Sequence, residues 1–133
     1  MIYLDTNIFL YPLLGTDKKA EECIKILNQM NEGKIKAGTS VLTWDEFYYK
    51  LVQKIGKEKT KELSKDFLMS PNLIIFEANK KTIYKAQEMV DKHNLKPRDA
   101  IHSATAILNN CTHIASDDKD FDTVTELKRI KIE

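Results

Sequence analysis

Five carboxylates stand where apolar runs of this chain end or helical runs begin. Asp5 follows Ile2-Tyr3-Leu4, and Glu46 comes soon after Thr39-Ser40-Val41-Leu42. Asp117 and Asp118 follow His113-Ile114-Ala115-Ser116, and Asp99 opens the apolar helical run that starts Ala100-Ile101. In an open parallel α/β sheet, ligands bind in the crevice outside the carboxyl ends of the strands. Carboxylates gathered in such a crevice raise one another's pKa. A hard divalent cation resolves that conflict, and Mg²⁺ is typically held by one or two carboxylates together with water and phosphate oxygens. The chemistry such a set could do is metal-dependent phosphodiester hydrolysis, in which metal ions acidify a bound water and clamp the attacking and leaving oxygens.

The elements that must position these acids are short strands alternating with helices. Residues 2–4, 38–42, 73–76, 113–116 and 130–132 read as strands. Thr16 or Asp17 caps a helix with Ala20, Cys23, Ile24, Leu27 and Met30 inward, and Gly33 is its stop. Thr43 caps a second, with Phe47, Leu51 and Ile55 in register, and a lysine-rich third carries Leu63, Phe67 and Leu68. Leu73-Ile74-Ile75-Phe76 is continuously apolar, as expected of a strand covered on both faces. Asn79 caps a helix to about His93 with Ile83, Ala86, Met89 and Val90 inward, and Pro97 precedes a last helix from about Arg98 to Leu108. This alternation predicts an α/β fold: a three-layer α/β/α sandwich around a mostly parallel sheet of four to five strands, in one domain spanning residues 1–133.

Each acid also has a purely structural reading. Asp5 in Leu4-Asp5-Thr6-Asn7 suits an N-cap or Asx-turn, although Thr6 and Asn7 would serve equally and free it. Thr43-Trp44-Asp45-Glu46 matches a capping box, which would occupy Glu46. Asp99 in a first helical turn complements the helix dipole. The acidic stretch Asp117, Asp118, Asp120 and Asp122 suits a solvated loop and lacks the glycine-containing spacing of a calcium loop. His102 reads as a hydrogen-bonded core residue. Joint placement at one sheet edge puts the functional reading ahead.

The chain has 133 residues, 42% hydrophobic and 31% charged, with a formal net charge of +1. That is the profile of an ordinary soluble domain. No apolar run approaches the ~20 residues of a membrane helix, and Met1-Ile2-Tyr3-Leu4 lacks the features of a signal peptide, so a cytoplasmic location is expected. Cys23 and Cys111 form no Cys-x-x-Cys pair and read as reduced, buried thiols. Arg98 and Arg129 are the only arginines among 21 basic residues, which leaves few groups for bidentate base reading. Lys96, Arg98 and Lys119 flank the acids and are the candidate phosphate contacts.

The stretches Tyr3-Leu4-Asp5-Thr6-Asn7-Ile8-Phe9-Leu10, Glu46, Arg98-Asp99-Ala100-Ile101-His102-Ser103-Ala104-Thr105-Ala106 and Ser116-Asp117-Asp118-Lys119-Asp120-Phe121 carry a resemblance. Together they resemble a PIN domain, and within that group the toxin ribonucleases of VapBC-type toxin–antitoxin pairs. The resemblance implies a catalytic and metal-binding set of Asp5, Glu46 and Asp99, completed by Asp118 or its neighbour Asp117. It implies Mg²⁺ or Mn²⁺, an RNA substrate, a homodimer or higher homo-oligomer, and inhibition by a cognate antitoxin. Thr6, Asn7 and Ser116 would orient carboxylates or waters, and Asp120 would contribute through water. Three rival readings are a structural or flap nuclease relative acting on DNA, a non-catalytic PIN-fold module that binds RNA or protein, and a haloacid-dehalogenase-like phosphotransferase. The last wants a second acid two positions after Asp5, where this chain has Asn7.

Overall fold

The computed structural model describes residues 1–133. Five strands form one sheet: β1 (Ile2–Leu4), β2 (Ala37–Ser40), β3 (Leu73–Phe76), β4 (His113–Ser116) and β5 (Lys128–Lys131). Six α-helices connect them: α1 (Thr6–Leu14), α2 (Lys18–Asn31), α3 (Val41–Ile55), α4 (Lys57–Leu68), α5 (Lys80–His93) and α6 (Pro97–Leu108). A 3₁₀ turn, Lys119–Thr123, lies between β4 and β5. The strand order is β3-β2-β1-β4-β5 and every pairing is parallel. The chain thus runs outward from β1 to β3 and then returns to the other side of β1. The point of reversal, between β1 and β4, is where an α/β sheet opens its binding crevice.

Side chains alternate across the strands and divide the core in two. Tyr3 and Ile114 face one layer with Ala86, Met89, Ala100, Ala104 and Phe121, so that side is covered by α5, α6 and the 3₁₀ turn. Leu4 and Ala115 face the other with Ile8, Cys23, Phe47, Leu51 and Phe67, the side of α1 to α4. The three-layer sandwich expected from the alternation is therefore the observed architecture. Cys23 and Cys111 are both buried and unpaired, and no helix is long and apolar enough to cross a membrane.

Local expectations fared unevenly. Asp17 caps α2, accepting the Ala20 N–H at 3.0 Å, and Gly33 follows the helix at φ 74°. Asn79 caps α5 and forms a reciprocal box with Thr82. By contrast, α1 has no counterpart among the predicted elements: Pro12 reads as a break, and Ile8-Phe9-Leu10 is uniformly apolar rather than periodic. The strand read as 38–42 ends at Ser40, whose hydroxyl caps α3 by accepting the Leu42 N–H at 3.0 Å. Thr43 therefore sits inside the helix, not at its cap. Ile24, Ile55, Leu68 and Ile83 are exposed, not inward. β3 is an edge strand with Ile74 exposed, so its apolar run does not mean cover on both faces.

Gly38 in β2 is required by close approach. A Cβ there would lie 2.3 Å from Cε2 and 2.7 Å from Cζ of Phe76. Gly38→Ala is expected to destabilise the protein by about 1–3 kcal/mol through overpacking. In urea unfolding, combining it with Phe76→Leu should cost clearly less than the sum of the two single changes; additive costs would show that the ring is not the obstacle.

Candidate metal centre

Three carboxylates converge beside the reversal point. Oxygens of Asp99, Asp118 and Asp120 all lie within 4.8 Å of one another. Asp99 projects from the first turn of α6, which Pro97 opens at a position where a helix needs no N–H. Asp118 and Asp120 come from the segment after β4. Asp118 caps the 3₁₀ turn by accepting the Asp120 N–H at 2.9 Å, and that tight turn carries Asp120 back toward Asp99. Sequence reading assigned Asp120 a role through water; here it belongs to the cluster itself. Arg129 braces this segment, forking onto Asp122 at 2.7 and 3.0 Å and donating to the Ser116 carbonyl at 3.0 Å.

Asp5 lies at the end of β1 and is buried. It is itself the N-cap of α1, so Thr6 and Asn7 do not replace it in that task. Its Oδ1 accepts the Thr6 N–H at 2.8 Å, and its Oδ2 accepts the Ser116 hydroxyl at 2.6 Å and the Asn7 amide at 3.4 Å. The Ser116 hydroxyl in turn accepts the Asp118 N–H at 3.0 Å, tying the ends of β1 and β4 together.

Glu46 is half-buried on α3 and free of any capping duty. Its Oε1 accepts the Thr6 hydroxyl at 2.9 Å and a hydrogen bond from His102 Nε2. With Lys96, Pro97, Arg98, Asp99 and Asp118 it lines a cavity of about 420 Å³. Lys119 is exposed and outside that lining. Asp117 points away: the Tyr11 hydroxyl reaches its Oδ2 at 2.7 Å and Lys19 Nζ at 2.9 Å. Of the doubled acid, the structure brings Asp118 to the cluster and not Asp117. The reason is strand parity: Asp117 continues the face of Ala115, toward α1 and α2, and Asp118 that of Ser116.

His102 is the residue that sequence reasoning left in the core. It is indeed buried, with Nδ1 2.6 Å from the Tyr3 hydroxyl. It also stands among the acids, with Nε2 on Glu46 and 3.7 Å from Asp5 Oδ1. Its place three residues after Asp99, on the same helical face, was the available signal.

The electrostatics show an excess of negative charge. Burial, then the charges of Asp118 and Asp5, push the Asp99 carboxyl up to about 6. Burial alone would raise Glu46, but the His102 hydrogen bond and charge outweigh it and hold the carboxyl below its ordinary value. Burial alone would lower His102, yet Glu46 and Asp5 hold it above its ordinary value. Asp117 and Asp122 have cationic partners in Lys19 and Arg129, whereas no lysine or arginine forms an ion pair with Asp5, Asp99, Asp118 or Asp120. An all-oxygen set with uncompensated charge fits a hard divalent cation. Asp99, Asp118 and Asp120 are close enough together to hold it, Glu46 lines the same cavity as Asp99 and Asp118, and the buried Asp5 adds its charge to Asp99.

The raised Asp99 value makes this cluster a local liability without a cation. A carboxyl whose folded pKa exceeds its unfolded value contributes stability that is full below the unfolded pKa and lost as pH rises through the folded one. For Asp99 that window runs from 3.8 to about 6. Metal-free Asp99→Asn is therefore expected to melt a few degrees higher than wild type at pH 7.5 and level with it near pH 4. An unchanged or lower melting temperature at pH 7.5 would show that Asp99 is not crowded.

Residues 2–127 match the PIN domain family. No curated protein sequence matches the chain significantly. Among solved structures, VapBC2 from Rickettsia felis bound to a promoter DNA fragment is similar at a TM-score of 0.75 and 20% identity, over 100% of both chains. VapC20 from Mycobacterium tuberculosis, a toxin that cleaves the sarcin–ricin loop, reaches 0.77 at 15% identity over 94% of this chain and 95% of that one. FitAcB from Neisseria gonorrhoeae gives 0.73 at 17% identity over 98% and 97%. At such identities the likeness concerns the fold, while the family match spans nearly the whole sequence: this chain belongs to the PIN domain family.

Proposed function

We propose that this protein is a Mg²⁺- or Mn²⁺-dependent endoribonuclease, acting in the cytoplasm as the toxin of a VapBC-type toxin–antitoxin pair. The observation that carries the reading is the uncompensated cluster of Asp99, Asp118 and Asp120 against buried Asp5, at the reversal point of a PIN fold. A bound divalent cation would supply an acidified water and charge stabilisation on the phosphate. The chain's own residues do the rest. Asp99, Asp118 and Asp120 would hold the cation, Asp5 and Glu46 would add negative charge and orient the attacking water, and Ser116 and Thr6 fix those two carboxylates. Lys96 and Arg98, on the cavity rim, take the RNA backbone. The toxin assignment is supported by family membership and by neighbours that are toxin–antitoxin proteins. An apolar groove of about 300 Å³ lined by Phe9, Leu13, Leu27, Met30, Phe47 and Phe67 offers an antitoxin helix an apolar bed. A homodimer completes the assignment.

The test is cleavage of RNA by purified protein. Mn²⁺ or Mg²⁺ should support it and EDTA should abolish it. Lys96→Ala with Arg98→Ala should weaken RNA binding and flatten its salt dependence, by a slope of about 1.4 for two single-strand phosphate contacts. A protein that binds no divalent cation in calorimetry and cuts no RNA is a binding module, and the nuclease reading fails.

A further inference from the structure

The buried hydrogen bonds behind Glu46 close into a ring. The Ser40 N–H donates to the Tyr3 hydroxyl at 3.1 Å, that hydroxyl meets His102 Nδ1 at 2.6 Å, and His102 Nε2 meets Glu46 Oε1. Ser40 caps α3 and Glu46 lies on it, so the chain of contacts returns to the helix where it began. While Glu46 is ionised, Nε2 must carry the proton of this bond, because a carboxylate only accepts. Nδ1 then either accepts from Tyr3 or donates to it. The direction of the bond to Glu46 is the same in both cases.

The ring joins the three elements that carry the dispersed acids. Tyr3 is two residues before Asp5 on β1, and so faces the same side of the sheet. His102 is three residues after Asp99 on α6, and Glu46 is the α3 member. Within the Glu46 carboxylate, Oε1 receives two donors, from Thr6 and His102, while Oε2 receives none and the side chain lines the cavity. A carboxylate at an exposed helical position would rotate freely. This one has one oxygen held by two donors and the other left without a hydrogen-bond partner. A buried histidine that served the core alone would need no contact with a cavity-lining acid.

We propose that His102, braced by the Tyr3 hydroxyl, is the positioning residue for Glu46, clamping Oε1 so that Oε2 is the oxygen offered to the cavity. This rests on the metal-dependent reading of the site and adds the device that sets the geometry of its α3 member. Neither His102 nor Tyr3 touches the cavity, so both act through Glu46.

The experiment compares Tyr3→Phe, His102→Asn and His102→Gln with wild type, each confirmed folded by circular dichroism at the assay temperature. Glutamine places an amide N–H near the Nε2 position and keeps the Glu46 bond, while asparagine mimics only Nδ1 and loses it. Mn²⁺ affinity is measured by calorimetry, and kcat and KM for RNA cleavage are measured separately. His102→Asn, which loses the Glu46 bond, should weaken Mn²⁺ binding toward the upper end of the roughly 10–100-fold cost of losing a partner that orients a ligand, and Tyr3→Phe toward the lower end. Both should lower kcat with little change in KM, and His102→Gln, which keeps the Glu46 bond but loses the Tyr3 brace, should match Tyr3→Phe rather than His102→Asn. If His102→Asn does not fold, Tyr3→Phe, which removes one hydroxyl, decides the question. Folded variants with wild-type Mn²⁺ affinity and kcat, differing only in melting temperature, would overturn the positioning role while leaving the nuclease reading intact. So would a glutamine variant as impaired as asparagine. A wild-type protein that binds no Mn²⁺ would overturn both.

Discussion

Asp5→Asn is expected to lower RNA cleavage by about 10²-fold or more at saturating Mn²⁺, with the fold retained. The expectation separates charge from structure at one position. Asparagine still caps α1, because its carbonyl accepts the Thr6 N–H that Asp5 Oδ1 accepts now. Its amide can face the Ser116 hydroxyl, which then accepts rather than donates. What goes is a full negative charge at the most enclosed point of the acid group, one that already acts on its neighbours by helping to raise Asp99. Single-turnover cleavage and Mn²⁺ calorimetry should fall together, and the far-ultraviolet circular dichroism spectrum should not change. Cleavage near the wild-type rate by a folded Asp5→Asn protein would remove Asp5 from the site. Asp118→Asn should behave like Asp5→Asn. Asp117→Asn should keep most activity, because that carboxylate is spent on Tyr11 and Lys19.

The contrast between Asp117 and Asp118 shows what a sequence can and cannot reveal. Strand ends were legible, since short apolar runs followed by acids place those acids at the edge of a parallel sheet whatever the register. Asp5 needed no more than that, whereas Asp99 was placed by the start of the last helix and Glu46 by its position after the second strand. Asp117 against Asp118 was a parity question: extending the alternation of Ile114 and Ala115 by three residues sends Asp118 to the side of Tyr3 and α6. That requires knowing that the chain stays extended past Ser116, and a run of acids gives no such sign. Asp120 depended on a 3₁₀ turn that only the Asp118 cap defines, a local feature with no hydrophobic period to announce it. α1 was hidden for the opposite reason, since Ile8, Phe9 and Leu10 are buried in succession and show no helical period. His102 was assigned a core role because a single helical histidine usually has one. Here the core role and contact with the acids coincide, and only the fold brings Tyr3 and Glu46 to its two nitrogens.

That coincidence sets the second large effect. His102→Leu is expected to destabilise the metal-free protein by about 3–5 kcal/mol near pH 5.5, the range for removing one partner of a buried pair. Leucine leaves the Glu46 carboxylate half-buried without its imidazole donor and the Tyr3 hydroxyl without its nitrogen. The pH dependence follows from the directions of the shifts. His102 lies above its ordinary 6.5, so its contribution is full below 6.5 and lost as pH rises through the folded value. Glu46 lies below 4.5, so its contribution is present above 4.5 and lost as pH falls through the folded value. The pair therefore stabilises most between those limits. Asp99, pushed up to about 6, loses its contribution in the same upward direction as His102. Wild-type protein in EDTA should accordingly grow less stable from pH 5 to pH 8, as urea midpoints at fixed ionic strength would record. In His102→Leu the His102 part of that decline is gone, while Asp99 and Glu46, no longer held down by the imidazole, decline in the acidic part of the range. At the alkaline end, where His102 titrates, the slope of the variant should be shallower, and parallel slopes there would mean that His102 does not titrate with folding. Mn²⁺ at pH 8 should reverse the wild-type decline, because a cation favours the ionised form of the same Asp99 whose charge is a burden without it.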